Sequence, residues 1–91
     1  MRRGVVNMAE EKLIGKITHY FGNIGVGIIG LTDSFRTGDK IHIKGSSTDF
    51  EQAVGSMQVD RKDISEAKSG DEVGVKLEQK VKEGDKVYKV L

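Results

Sequence analysis

Only His19 and His42 can change charge near neutral pH in this chain, so acid–base or metal chemistry would have to run through them. Asp39, just before His42, is the nearest carboxylate that could join such a site. The two histidines sit on separate segments without a third ligand at a recurring spacing, so no metal centre is expected. Ser46, Ser47 and Ser65 lie in glycine-rich or charged stretches with no nucleophile-elbow pattern, and the absence of cysteine removes thiol catalysis. Asp39, Asp71 and Asp85 each follow a glycine, where a carboxylate bonds its own backbone in a turn. Binding is the chemistry that remains. Lys16, Tyr20, Lys40, His42, Lys44, Arg61 and Lys62 fall on outward positions or loops, and together would make a basic face with one stacking aromatic, as RNA-binding barrels use. The plain alternative is an ordinary charged solvent face.

Short strands must position these side chains. Thr37-Gly38-Asp39-Lys40-Ile41-His42-Ile43-Lys44 sets a Gly-Asp turn before an alternating run, and the same order returns at Gly70-Asp71 and Gly84-Asp85. Glycine supplies the positive φ of a tight turn, and the alternation reads as a half-buried strand. Upstream, Leu13 to Phe21, a Gly22-Asn23 turn and Ile24 to Leu31 predict a hairpin. Alternation places Leu13, Gly15, Ile17, His19 and Phe21 inward, with Lys16, Thr18 and Tyr20 outward. For Ile24 to Leu31 the inward face stays open. Phe35 is placed as a plug, Ile41 and Ile43 point inward, and a strand over about 50–59 carries a bulge near Ala53-Val54-Gly55. Val73, Val75 and Leu77 form the next inward set, with Gly74 a flat outer spot between them. Six short strands with no helix predict an all-β fold, a small closed antiparallel six-stranded β-barrel, with a sandwich as the other candidate.

At 91 residues and 36% hydrophobic content, the chain holds one small domain, expected over 12–91, after an N-terminal arm over 1–11 without ordered structure. Translation starting at Met8 is a further expectation. No apolar run approaches a membrane span and no signal peptide is visible, so a soluble cytoplasmic protein is expected. The charged fraction of 32% with few amides fits a thermophile, against which stands the lack of proline. A net charge of +1 excludes bulk nucleic-acid affinity, so any phosphate-binding surface must be local.

Four segments succeed one another in a suggestive order: Ile14-Gly15-Lys16-Ile17-Thr18, Arg36-Thr37-Gly38-Asp39-Lys40-Ile41, Val54-Gly55-Ser56-Met57, and Glu66-Ala67-Lys68-Ser69-Gly70-Asp71-Glu72-Val73-Gly74-Val75. The series resembles the second domain of translational GTPases, the β-barrel of the elongation factor Tu and initiation factor two types, over nearly the whole of 12–91. It is also similar to free-standing translation elongation factor-like proteins and to barrels appended to collagenase-like peptidases linked to RNA modification. The resemblance implies contact with aminoacyl-tRNA or the ribosome. No Gly-rich loop ending in Lys-Ser or Lys-Thr occurs, so nucleotide hydrolysis is not expected.

The sequence therefore predicts a binding module without catalytic activity or cofactor, recognising RNA or a ribonucleoprotein surface. The alternative is a protein-interaction subunit docking on a separately encoded enzyme, such as a peptidase-like RNA-modification protein.

Overall fold

The computed structural model describes residues 11–90. Ten strands are found there and no helix, so nothing among the described residues is a helix long and apolar enough to cross a membrane. The strands are β1 (Glu11–Phe21), β2 (Val26–Leu31), β3 (Phe35–Arg36), β4 (Lys40–Lys44), β5 (Asp49–Ala53), β6 (Met57–Val59), β7 (Lys62–Ile64), β8 (Glu66–Ala67), β9 (Glu72–Lys76) and β10 (Lys86–Val90). Eight of them form one antiparallel sheet in the order β5-β4-β10-β1-β2-β9-β6-β7, and β3 pairs with β8 apart from it. The expected N-terminal arm lies outside the described residues except for Glu11, which already belongs to β1.

The three Gly-Asp turns are one device used three times. Gly38, Gly70 and Gly84 hold φ of 95°, 95° and 93°, the left-handed region open to glycine. The carboxylates of Asp39, Asp71 and Asp85 accept the backbone N–H of Arg36, Lys68 and Lys82 at 3.0, 3.1 and 2.9 Å. Each turn also docks on one buried aliphatic residue by a reciprocal pair of backbone bonds. Gly38 donates to Val54 and Val54 to Asp39; Gly70 and Asp71 do the same with Leu31, and Gly84 and Asp85 with Ile17. The turn role expected for these aspartates is the role they have.

The all-β expectation stands, but the sheet is open and its strands number ten rather than six. Among the described residues no ladder joins β5 to β7, which end the strand order. The expected strand over 50–59 is broken at Val54, whose N–H and C=O are taken by the first Gly-Asp turn and so leave the ladder. Its halves become β5 and β6. The charged connection after Val59 is a two-residue hairpin turn whose central residues, Asp60 and Arg61, both have positive φ, 52° and 65°. That geometry favours Asn-Gly and costs a larger residue on the order of 1 kcal/mol.

The core is aliphatic. Ile41, Ile43, Val73, Val75 and Leu77 are buried as alternation predicts, Met57 and Val87 are buried with them, and Phe35, paired with Ala67 in the β3–β8 ladder, is buried as well. β1 departs from alternation. Its register slips between Leu13 and Gly15 against β10, and between Ile17 and His19 against β2. A bulge shifts the side-chain parity of the residues beyond it. Ile14 is consequently buried beside Gly15 and Ile17, while Leu13, His19 and Phe21 face solvent and Tyr20 packs against the core.

Candidate functional site

β4 alternates Lys40, His42 and Lys44 outward over buried Ile41 and Ile43. Opposite them, β5 brings Glu51 beside His42 and Asp49 beside Lys44. Glu11 arrives from β1, on the far side of β10. These strands gather the charges around one imidazole, whose side chain is only 12% exposed. Nδ1 of His42 lies 2.5 Å from Glu11 Oε2, and Nε2 bonds Asp49 Oδ1. A neutral imidazole carries one N–H, so two carboxylate partners on its two nitrogens call for the doubly protonated ring. Burial disfavours that charge, but the bonds to Asp49 and Glu11 outweigh it and hold the His42 pKa above the ordinary value. The same bonds lower the pKa of Glu11, helped by Lys44, and that of Asp49.

The cluster has the spacing of a cation site, since single ligand atoms of Glu11, His42 and Glu51 lie within 4.8 Å of one another. Its charges are already matched. Lys40 Nζ is 3.1 Å from Glu51 Oε1, and Lys44 Nζ is 3.4 Å from Glu11 Oε1. Three carboxylates thus face one imidazolium and two ammonium groups, and the sum is zero. With both ring nitrogens engaged, His42 has no free atom with which to activate a nucleophile. The arrangement is a clasp across β5, β4 and β1.

The residues expected to form one basic face are dispersed. Lys40, His42 and Lys44 meet, but inside this neutral network, with Lys44 Nζ 5.3 Å from the centroid of the Tyr88 ring. Arg61 and Lys62 belong to the β6–β7 hairpin, separated from β4 in the strand order by β10, β1, β2 and β9. Lys16 is exposed on β1 opposite Gly30 and Lys86. Tyr20, expected outward as a stacking platform, is instead turned against the core by the second slip of β1.

A second feature lies on the outer face of β2, β9 and β6. In β2, Gly27, Ile29 and Leu31 point inward, which leaves Val26 and Ile28 half-buried on the outside. The β1–β2 hairpin adds Phe21 and Ile24, 47% and 58% exposed. With Gly74, Gln58, Arg61 and Glu72 these line an open groove of about 510 Å³. Large apolar residues on both sides of Gly22-Asn23 are the sequence signal for it; a soluble hairpin tip has no packing use for them.

Comparison with known proteins places these features in context. No family model matches the chain. It is 42% identical over 76 residues to an uncharacterized protease of Methanocaldococcus jannaschii, a match covering 82% of this chain. The chain spans about a fifth, 19%, of that relative's length. Its fold matches the crystal structure of the C-terminal domain of a Geobacillus thermoleovorans chain assigned to the U32 peptidases, with a TM-score of 0.82 at 17% identity, over 88% of this chain and 93% of that domain. The selenomethionine variant of the same domain gives a TM-score of 0.79 at 16% identity, over 84% and 96%.

These findings overturn the resemblance to the second domain of translational GTPases, and with it the expected link to translation. The reason is physical. The motif series consists largely of Gly-Asp turns and the strands they start, and that chemistry serves any small sheet needing the same tight turns. It marks an architecture and not a lineage.

Proposed function

We propose that this chain is a non-catalytic docking module that binds the body of a U32-type peptidase, serving it as a protein-interaction subunit. The observation that carries the reading is the 42% identity with a segment amounting to 19% of a longer protease. This chain's own fold match to a C-terminal domain supports reading such a segment as an accessory part of a larger protein. Two features support it. The histidine best placed for chemistry is committed to an ion-pair network, and Phe21 and Ile24, two of the three exposed large apolar residues among the described residues, line one groove beside a hairpin tip.

The test is affinity capture of the tagged 91-residue chain in its own host, with and without RNase, with the recovered chains identified by mass spectrometry. A U32-type peptidase recovered at equal stoichiometry and resistant to RNase is the expected outcome. Recovery of RNA, or of proteins lost after RNase, overturns the reading.

A further inference from the structure

Register brings three lysines into one line on the outer face of the sheet. Lys86 on β10 is the ladder partner of Lys44 on β4 to one side and of Lys16 on β1 to the other. Like charges directly opposite one another across a ladder are destabilising. Lys44 is relieved, since its Nζ lies 3.4 Å from Glu11 Oε1 within the neutral clasp. Lys16 and Lys86 make no ion pair among the described residues. The next position in the line is Gly30 on β2, which has no side chain to offer them.

The surface around these two ammonium groups is hollow. Leu13, Gly15, Gly30 and Thr32 join Lys16 and Lys86 in lining a cavity of about 250 Å³. The two glycines contribute only backbone, Leu13 is an apolar wall left 46% exposed, and the exposed Thr32 hydroxyl can donate a hydrogen bond. No carboxylate lines it. Asp33, next to Thr32 in the chain, is held by Lys12 Nζ at 2.6 Å, and that pair cancels. Glu72 lies in the same line on β9, one strand beyond Gly30. Set against Lys16 and Lys86, it leaves a single positive charge uncompensated.

We propose that this cavity binds one carboxylate carried on a short aliphatic stem, with the carboxylate between Lys16 and Lys86 and the stem against Leu13. One such anion cancels the remaining charge and relieves the repulsion between the two ammonium groups. Its stem removes the Leu13 side chain from water. A nucleic-acid backbone does not fit the same line, because its successive phosphates would run onto Asp49 beyond Lys44 and onto Glu72 beyond Gly30. A free phosphate would leave Leu13 bare. A small aliphatic acid and the terminal carboxylate of a chain ending in an apolar residue share the required chemistry.

The experiment follows the backbone amide NMR signals of the purified 91-residue chain at constant ionic strength, titrated with hexanoate, N-acetyl-leucine, acetate or inorganic phosphate. Saturable shifts at Leu13, Gly15, Lys16, Gly30 and Thr32 are expected with hexanoate or N-acetyl-leucine. The tighter of the two names the source, a free acid or a chain terminus. Lys16→Gln and Lys86→Gln are each expected to weaken that binding at least roughly fivefold, and Leu13→Ser to bring it down to the level of acetate. Both lysine variants are expected to melt at or above the unmodified chain, because each removes a like-charge contact, so their lost binding is not lost folding. The absence of saturable shifts with both stem-bearing probes overturns the proposal. Weakening of less than about fivefold in either lysine variant does the same. So does acetate or phosphate bound at these residues as tightly as hexanoate, which would make the cavity a site for any small anion.

Discussion

Gln52 and Glu78 join two parts of the chain that no strand ladder connects. The Gln52 Oε1 atom accepts the backbone N–H of Glu78 at 2.8 Å, and its Nε2 donates to the Lys76 carbonyl at 2.9 Å. Gln52 lies on β5, the edge of the eight-stranded sheet, whereas Lys76 ends β9. One buried amide therefore ties down the edge strand where a closed barrel would have used backbone bonds. Replacing it by leucine keeps the volume but leaves an N–H and a carbonyl without partners. Gln52→Leu is expected to lower the unfolding free energy by about 2–3 kcal/mol, measured by urea denaturation, while Glu51→Ala next to it costs well under half as much. Equal losses would mean that the amide bridge contributes no more than an exposed ion pair.

The clasp around His42 predicts a stability maximum in mildly acidic solution. The folded state holds the His42 proton to higher pH than the unfolded chain, since its pKa is raised from 6.5. Its contribution is therefore complete below about pH 6.5 and is lost as pH rises through the higher folded value. Glu11 and Asp49 work in the opposite sense. Their folded pKa values lie below the ordinary 4.5 and 3.8, so their contribution is present above those values and is lost as pH falls through the lowered ones. The network should stabilise the fold most between about pH 4.5 and 6.5. A thermal-melting series from pH 4 to 9 is expected to peak there, and His42→Gln is expected to flatten the decline above pH 6.5. A decline of unchanged slope in that variant would assign it to other groups.

Zinc should leave this cluster alone at neutral pH. A divalent ion would have to displace the imidazole proton and stand close to the Lys40 and Lys44 ammonium groups, in a network that already sums to zero. Adding the ion would leave uncompensated positive charge where desolvation makes it costly. The melting temperature at pH 7 is expected to be unchanged by zinc in excess. A saturable rise that disappears in His42→Gln would show that the ion outcompetes the proton.

Much of this architecture is legible in the residues because its turns are chemically explicit. Gly38-Asp39, Gly70-Asp71 and Gly84-Asp85 announce three identical devices, and the alternation after the first two correctly buries Ile41, Ile43, Val73 and Val75. What the chain conceals is register. Gly15 marks the first slip in β1, as a glycine inside a strand suggests a bend or a close backbone approach, but the second leaves no mark in Ile17-Thr18-His19, since a bulge inserts a residue without requiring a particular side chain. That second slip is enough to exchange Tyr20 for Phe21 on the outside. Sheet closure is hidden as well, because Val54 gives its hydrogen bonds to a distant turn, a choice made by tertiary packing. The charged site is concealed for a third reason. Alternation shows that Lys40, His42 and Lys44 share a face, but only the pairing of β4 with β5 shows that Asp49 and Glu51 neutralise it.

Three glycines then rank themselves by what surrounds them. A β-carbon on Gly15 would overlap the Gly30 carbonyl oxygen and press on Ile29 Cγ2 at 3.1 Å, and a backbone carbonyl in the middle of a sheet cannot step aside. On Gly45 it would overlap the Asp85 carboxylate, a side chain that can move, although only by leaving the Lys82 N–H it caps. On Gly55 it would meet nothing within 4 Å, and that residue has no positive φ. Gly15→Ala is expected to cost about 2–3 kcal/mol through overpacking. Gly45→Ala is expected to cost about 1 kcal/mol, the worth of the turn bond. Gly55→Ala is expected to be neutral or to stabilise by up to about 0.5 kcal/mol, through the reduced freedom of the unfolded chain. Urea denaturation of the three variants checks the order. If Gly45→Ala cost as much as Gly15→Ala, Asp85 would be as immovable as backbone, and the third Gly-Asp turn would be the most rigid point of the fold.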